Sequence, residues 1–136
     1  MNTTLIHNKN QRRAGFTLVE IMIVVAIIAL LAAIAVPNFQ RARKRTQATI
    51  ILEDLRVLEY ALDRWAIENN KIAGEAATFP DLKPFLKPST PLYDTGKDMY
   101  GRDYGPFIVD KFPHVADATA AELSDVAPPE FWRPYE

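Results

Sequence analysis

The most distinctive pattern in the chain is an uninterrupted run of apolar residues near its beginning. From Ile21 to Val36 the sequence reads IMIVVAIIALLAAIAV, 16 residues in which no side chain carries a polar atom. With Phe16–Glu20 added, the segment would span roughly 31 Å as an α-helix, close to the thickness of a bilayer core. Because a surface helix of a soluble domain needs a polar face, the pattern predicts a membrane helix over residues 16–36.

A second interpretation of this run stays open. Ala33-Ile34-Ala35 resembles the small-residue cleavage site of an ordinary secretory signal peptide, and cutting near Ala35 would release a soluble exported binding domain. The run is longer than a usual signal peptide core, however, and Glu20 lies at its entrance. Basic residues flank it on both sides, so the positive-inside rule gives little indication of orientation. They are Lys9, Arg12, Arg13, Arg41, Arg43, Lys44 and Arg45.

Beyond the apolar run the spacing of apolar residues is that of an amphipathic helix. Positions alternate by four and three along one face, which predicts that the helix continues over residues 37–72 and packs its stripe on a C-terminal subdomain. Pro37 removes a backbone donor and predicts a bend. Asn69-Asn70-Lys71 supplies stop signals, so the helix should run from Phe16 to about Lys71. The stripe consists of Ile51, Leu55, Leu58, Leu62 and Trp65, with Ile72 further on.

The remainder, residues 73–136, should consist of short elements, because nine of the ten prolines lie between Pro80 and Pro134. The segment Thr78–Asp81 predicts a capped short helix through Leu82, and Thr119–Glu122 predicts the start of another. Residues 107–112 are the best strand candidate, with partner strands expected near Tyr93 and Tyr104. Phe131-Trp132 should pack the end of the chain onto the helical stripe. The predicted fold class is α+β, with a short antiparallel sheet.

Composition argues against several functions. The 136 residues include 16 basic and 17 acidic side chains, a net charge of −1, so binding to nucleic acid is not indicated. The basic run Arg41–Arg45 has no interleaved aromatic residues and is typical of a solvated collar at a bilayer surface. With no cysteine, two histidines and two serines, the chain is not expected to be an enzyme. A membrane-tethered hydrolase would need a carboxylate pair such as Asp98 and Asp103.

The residues around the start of the run resemble the type IV pilin-like family, which includes the pseudopilins of type II secretion. Residues 12–20 read Arg-Arg-Ala-Gly-Phe-Thr-Leu-Val-Glu, the basic leader, glycine and Phe-Thr-Leu-Val-Glu of that family. The resemblance implies that a prepilin peptidase removes residues 1–15 by cutting between Gly15 and Phe16. It also implies that Phe16 is then N-methylated and that the helix bends or loosens at Pro37.

Glu20 is the residue whose position most needs a functional explanation. A carboxylate in a membrane helix costs on the order of 2.5 kcal/mol or more. After cleavage the Phe16 ammonium would lie four positions back on the same helical face, where the helix N-terminus adds partial positive charge. The resemblance implies that Glu20 pairs with the Phe16 amine of a neighbouring subunit and thereby sets the axial register of a filament.

The resemblance also implies the setting of the protein. The expected partners are copies of the chain and other pilin-like subunits in a filament, the prepilin peptidase and an inner-membrane assembly platform. The expected location is the inner membrane, crossed once, with the C-terminal part in the periplasm. Residues 79–104 show a weaker similarity to a pseudopilin stretch, from which Met99, Tyr100, Arg102 and Asp103 depart.

Calcium is a further implication of the resemblance, because major pseudopilins hold it with acidic residues near the C-terminus. Calcium favours six to eight convergent oxygen ligands. The acids of this chain's end are spread out, are interrupted by Pro128-Pro129 and form no Asp-x-Asp cluster. The sequence therefore names no metal-binding residue. The acids concerned are Asp117, Glu122, Asp125, Glu130 and Glu136.

Overall fold

The computed structural model describes residues 15–135, which divide into two units, residues 15–37 and 38–135. One long helix, α1 (Leu18–Glu68), contributes to both units. The second unit adds short elements of both kinds to α1, and the predicted α+β class is confirmed. They are β1 (Ala76–Ala77), α2 (Phe79–Leu82), a 3₁₀ turn (Lys83–Phe85), α3 (Pro91–Thr95), β2 (Phe107–Ile108), α4 (Asp117–Glu122) and α5 (Pro129–Trp132).

The amphipathic part of α1 supplies the centre of the hydrophobic core. Ile51, Leu55 and Leu58 are completely buried, and Leu62 and Trp65 are buried beside them, so the predicted stripe is confirmed. The prediction for Ile72 was wrong, because its side chain is 70% exposed. Ile72 follows the end of the helix, and the helical spacing no longer places it on the stripe.

Helix α1 ends in a hydrogen-bonded cap. Asn70 adopts a left-handed conformation with φ 52°, and the Lys71 amide donates to the Ala66 carbonyl at 2.9 Å. The side-chain amide of Asn69 donates to the Trp65 carbonyl, also at 2.9 Å. These bonds satisfy carbonyls that the last turn leaves without a helical partner. The stop signal around Asn69-Asn70 is confirmed, and the helix ends slightly earlier than predicted.

The sheet differs from the prediction in both length and partner. Strand β2 contains only Phe107 and Ile108 and pairs antiparallel with β1, with Ala77 opposite Phe107. The expected strand over 107–112 is cut short because Asp110 has a positive φ of 62° and the chain turns there. Tyr93 lies in α3 rather than near a strand, so that expectation was wrong. Two alanines have little strand preference, and their pattern gives no signal.

Two predictions for short helices had different outcomes. Thr78 begins α2 as predicted, with a capping box formed by Asp81. Thr119 does not begin a helix, because α4 already starts at Asp117 with Ala116 as the capping residue. Thr119 is instead completely buried inside the helix. Because α4 begins two residues before Thr119, an expected cap becomes a core contact.

The end of the chain packs against α1. Trp132 is buried in the same core as the stripe of α1, and Phe131 is half-buried against it, as predicted. The Tyr135 hydroxyl donates to the carboxylate of Glu59 on α1. Burial, followed by this hydrogen bond, raises the pKa of Tyr135 to about 12. Apolar packing and the Tyr135–Glu59 hydrogen bond thus hold residues 131–135 against the helix.

Candidate assembly site

The start of α1 is a reciprocal capping box formed by Thr17 and Glu20. The backbone amide of Thr17 donates to Glu20 Oε2 at 2.7 Å, and the Thr17 hydroxyl donates to the same oxygen at 2.9 Å. In return, the Glu20 amide donates to the Thr17 hydroxyl oxygen at 3.2 Å. This arrangement explains why the helix begins at Leu18 rather than at the predicted Phe16. The Thr-x-x-Glu pattern of residues 17–20 is the local sequence signal for this capping box.

Gly15 and Phe16 lie immediately before the helix. Both are outside helical structure, and the Phe16 side chain is 85% exposed. A Cβ at position 15 would meet no described atom within 4 Å, so packing does not require a glycine there. The predicted cleavage junction is therefore exposed, non-helical chain, whereas Glu20 lies in the first turn of the helix. The rest of the predicted leader, residues 1–14, lies outside the described part of the chain.

The apolar segment has no partner within the described chain. Between positions 16 and 36 every side chain is exposed, and the exposure of the large apolar ones ranges from 51% at Ile21 to 85% at Phe16. Among the described residues, α1 alone is long and apolar enough to cross a membrane. An apolar surface of this size is stable only when lipid or other protein covers it. Pro37 lies inside α1, and the bend expected there stays a prediction.

The second unit, residues 38–135, which we call the C-terminal unit, contains a buried polar network centred on Asp98. Its Oδ1 accepts the amides of Tyr100 and Arg102, both at 2.9 Å, and its Oδ2 accepts the hydroxyl of Thr119. Asp98 is only 5% exposed, and these bonds satisfy the charge that burial would otherwise disfavour. Asp103 is exposed and pairs with Lys97 at 3.2 Å. Asp98 therefore shapes a loop, and Asp103 belongs to a separate surface ion pair.

Two cations attach α4 and the residues after it to the rest of this unit. Arg102 donates through Nη1 to Thr119 at 3.0 Å and through Nη2 to Glu122 at 3.1 Å. On α1, Lys44 Nζ contacts Asp125 Oδ1 at 3.1 Å and the Glu122 carbonyl oxygen at 3.4 Å. No local sequence pattern indicates these contacts, because each joins residues that are far apart along the chain.

Among the described residues, the acids near the end of the chain form no cluster arranged to hold calcium. Glu122 and Asp125 are each paired with a cation of the chain. Within residues 15–135 no cluster of three or more acidic or histidine side chains is positioned to hold a metal ion. The residues present therefore do not fit the calcium that the family resemblance implies. Glu136 lies outside the described residues.

A second carboxylate on α1 titrates in an unusual environment. Asp54 Oδ2 accepts the hydroxyl of the buried Tyr104 at 2.9 Å. Burial raises the pKa of Asp54, the bond from Tyr104 opposes that rise, and the nearby charge of Asp98 adds to it. Burial and the same carboxylate raise the pKa of Tyr104. Tyr104 was predicted to lie beside a strand, and in the structure it anchors its segment to α1.

Comparisons with known proteins agree with these structural features. Residues 10–36 match the family model described as the prokaryotic N-terminal methylation motif. The chain is 32% identical over 103 residues to type II secretion system core protein G of Klebsiella pneumoniae, covering 69% of this chain and 74% of that protein. Against the core protein G of Aeromonas hydrophila the identity is 35% over 105 residues, 71% of this chain and 73% of the relative.

A pilus protein is similar over a shorter stretch. The type IV wide pilus major component PilA4 of Thermus thermophilus is 40% identical over 68 residues, half of this chain and 52% of that protein. No solved structure gives a significant match.

The methylation motif, the exposed apolar helix and the small α+β unit together define a pilin-like protein. Within that class, the chain belongs to the family of type II secretion system core protein G, a family of pseudopilins.

Proposed function

We propose that the protein is a structural subunit of a type II secretion or type IV pilus-like filament. The observation that carries this proposal is the apolar surface of residues 16–36, which is exposed throughout and lies within the methylation motif of residues 10–36. Lipid covers such a surface before assembly, and neighbouring helices cover it afterwards. The names of the relatives, a secretion core protein and a pilus component, support the same role.

The subunit is processed before it assembles. A prepilin peptidase cuts between Gly15 and Phe16 and methylates the new amine, leaving a leader of residues 1–15 behind. The exposed, non-helical backbone at this junction supports the proposal, because a peptidase binds its substrate as an extended chain. Cleavage near Ala35 is the competing possibility. There the backbone lies inside α1, and the helix would have to unwind before a peptidase could act.

The mature subunit sits in the inner membrane as a single-pass protein, with α1 continuing to Glu68 and the residues after it forming the periplasmic part. An assembly platform in that membrane extracts it into the filament. The length of the apolar segment supports this placement, as does the basic collar that follows it. A bend at Pro37 lets the helix adjust between membrane and filament.

Glu20 directs assembly through its charge. Its carboxylate pairs with the Phe16 amine of a neighbouring subunit, so that two charges neutralise each other away from water. An α-amine with a pKa of about 7.7–8.0 is mostly protonated at neutral pH. No chemical reaction is assigned to the subunit. Its contribution to the filament is a surface against which each successive subunit packs in the same way.

The mass of the mature chain tests processing directly. The protein is produced with a prepilin peptidase, extracted from membranes and measured intact, beside the variants Gly15→Leu and Ala35→Leu. The wild type and Ala35→Leu should begin at Phe16 and carry one methyl group, whereas Gly15→Leu should keep its leader. A soluble product that begins at Val36, and that Ala35→Leu abolishes, would instead identify a secreted domain.

A further inference from the structure

The segment that carries the terminal acids is held by positive charges belonging to the chain itself. Lys44 on α1 binds Asp125, and Arg102 binds Glu122. Arg102 also bonds to Thr119, whose hydroxyl reaches the buried Asp98. We call this set the cation clasp. Its members are Lys44, Asp98, Arg102, Thr119, Glu122 and Asp125.

The cation clasp connects three parts of the C-terminal unit that are distant in sequence. Lys44 lies on α1, Arg102 closes the loop that Asp98 shapes, and Glu122 ends α4. The guanidinium of Arg102 also lies over the Tyr100 ring, 5.2 Å from its centre. The Tyr100 hydroxyl in turn donates to Gln47 of α1 at 3.1 Å. Arg102 is therefore the junction through which the loop, α4 and α1 are held together.

A bound calcium ion would do the same work with its own charge, by drawing carboxylates and carbonyls from separate segments to one point. In this chain the carboxylates already have partners, and the Glu122 carbonyl oxygen faces the ammonium of Lys44. A positive side chain beside these oxygens opposes the approach of a divalent cation. The oxygens of Glu122 and Asp125 are therefore arranged around positive side chains of the protein and are unsuited to a metal ion.

We propose that Arg102 and Lys44 replace a structural metal ion, so that the C-terminal unit folds and stays folded without calcium. This inference rests on contacts within residues 38–135 and does not depend on filament assembly. A failure of one proposal therefore leaves the other standing.

Thermal unfolding of the full chain in detergent micelles tests the first half of the proposal. Tryptophan fluorescence reports the transition, because Trp65 and Trp132 are both buried in this unit. The melting temperature should be the same in millimolar calcium chloride as in EDTA. If the protein had a calcium site whose dissociation constant lay well below the added calcium concentration, calcium would raise the melting temperature by about 4 °C or more. A rise of that size in the wild type would overturn the proposal.

Charge-removing variants test the second half. Arg102→Gln should lower the melting temperature by about 4–8 °C, the shift that corresponds to a loss near 1 kcal/mol in a domain of this size. Lys44→Gln should lower it by less, because its ion pair is more exposed. Lys87→Gln, which removes an exposed charge outside the clasp, serves as the control and should leave it unchanged. If Arg102→Gln has the same melting temperature as the Lys87→Gln control, the clasp does not stabilise the unit and the proposal is wrong. If Arg102→Gln fails to fold, Lys44→Gln against the control decides in the same way.

Discussion

The carboxylate of Glu20 and the hydroxyl of Thr17 bind each other at the first turn of α1, with Thr17 Oγ1 donating to Glu20 Oε2 at 2.9 Å. Glu20 thus has a local partner in the isolated subunit, in addition to the amine proposed for it in a filament. Replacing Glu20 with alanine would remove the helix cap and the charge at once. The geometry indicates how to separate them, since glutamine can take the Glu position of a capping box while carrying no charge.

The Thr17 side chain should set where α1 begins. Thr17→Val keeps the size of the side chain and removes the capping oxygen, at a local cost of about 0.5–2 kcal/mol. Amide hydrogen exchange in micelles should become faster at Leu18–Ile21, with the melting temperature of the C-terminal unit unchanged. Unchanged exchange at these amides would show that the capping box is not formed in solution.

The buried stripe should carry the stability of the C-terminal unit. A chain truncated before Arg41 lacks the membrane segment and should be soluble, folded and mostly monomeric. In it, Leu58→Ala or Leu62→Ala should lower the free energy of unfolding by about 2–5 kcal/mol, because both side chains are fully or almost fully buried. Val57→Ala, at a 44% exposed position on the same helix, should cost less than about 0.5 kcal/mol. Equal small effects in denaturant titrations would contradict the packing described for α1.

Asp54 should make the protein less stable as the pH rises. Burial raises its folded-state pKa above the unfolded value of about 3.9. Its stabilising contribution is therefore complete below pH ~3.9 and is lost as the pH rises through the raised pKa. Asp54→Asn does not titrate and can still accept the Tyr104 hydroxyl. The melting temperature of Asp54→Asn, relative to that of the wild type, should therefore increase from acidic to neutral pH. A difference that does not change with pH would contradict the raised pKa of Asp54.

Asp81 provides a control for that experiment, because its contribution to stability should change with pH in the opposite direction. Hydrogen bonds from the side chain and the backbone of Thr78 lower its pKa, so its contribution is present above pH ~3.9 and is lost as the pH falls through the lowered pKa. Asp81→Asn should be less stable than the wild type at neutral pH, and that deficit should shrink in acid. The two variants together distinguish the effect of each carboxyl from a general effect of acid.

Features with a long sequence pattern could be predicted, and features made by distant contacts could not. The apolar run and the stripe from Ile51 to Trp65 repeat over many residues, so hydrophobic spacing alone locates α1 and its buried face. The methylation motif was equally readable. Strand β1 consists of two alanines, and its pairing depends on where the chain turns after Ile108.

The interactions around Arg102 likewise could not be predicted from the sequence. Nothing near Arg102 in the sequence indicates that it reaches Thr119 and Glu122, which follow it by 17 and 20 residues. Thr119 looked like a helix cap because Ser or Thr followed by Glu at the third position is a local signal. Burial against Asp98 is not local, and it overrode that signal.

The central claim is that Glu20 acts in assembly through its negative charge. Two variants isolate that charge: Glu20→Gln keeps the cap and loses the charge, whereas Thr17→Val loses the capping oxygen and keeps the charge. Breaking one side of a buried ion pair costs about 3–5 kcal/mol, far more than the loss of a cap. Both variants should be cut after Gly15 as efficiently as the wild type, which the mass of the mature chain verifies.

The deciding measurement is the amount of subunit in filaments sheared from cells that contain the assembly machinery and equal levels of each protein. We expect filaments from the wild type and from Thr17→Val, and almost none from Glu20→Gln, whose processed subunit should accumulate in the inner membrane. A normal filament yield from Glu20→Gln would contradict the account, because the carboxylate would then serve only the helix start.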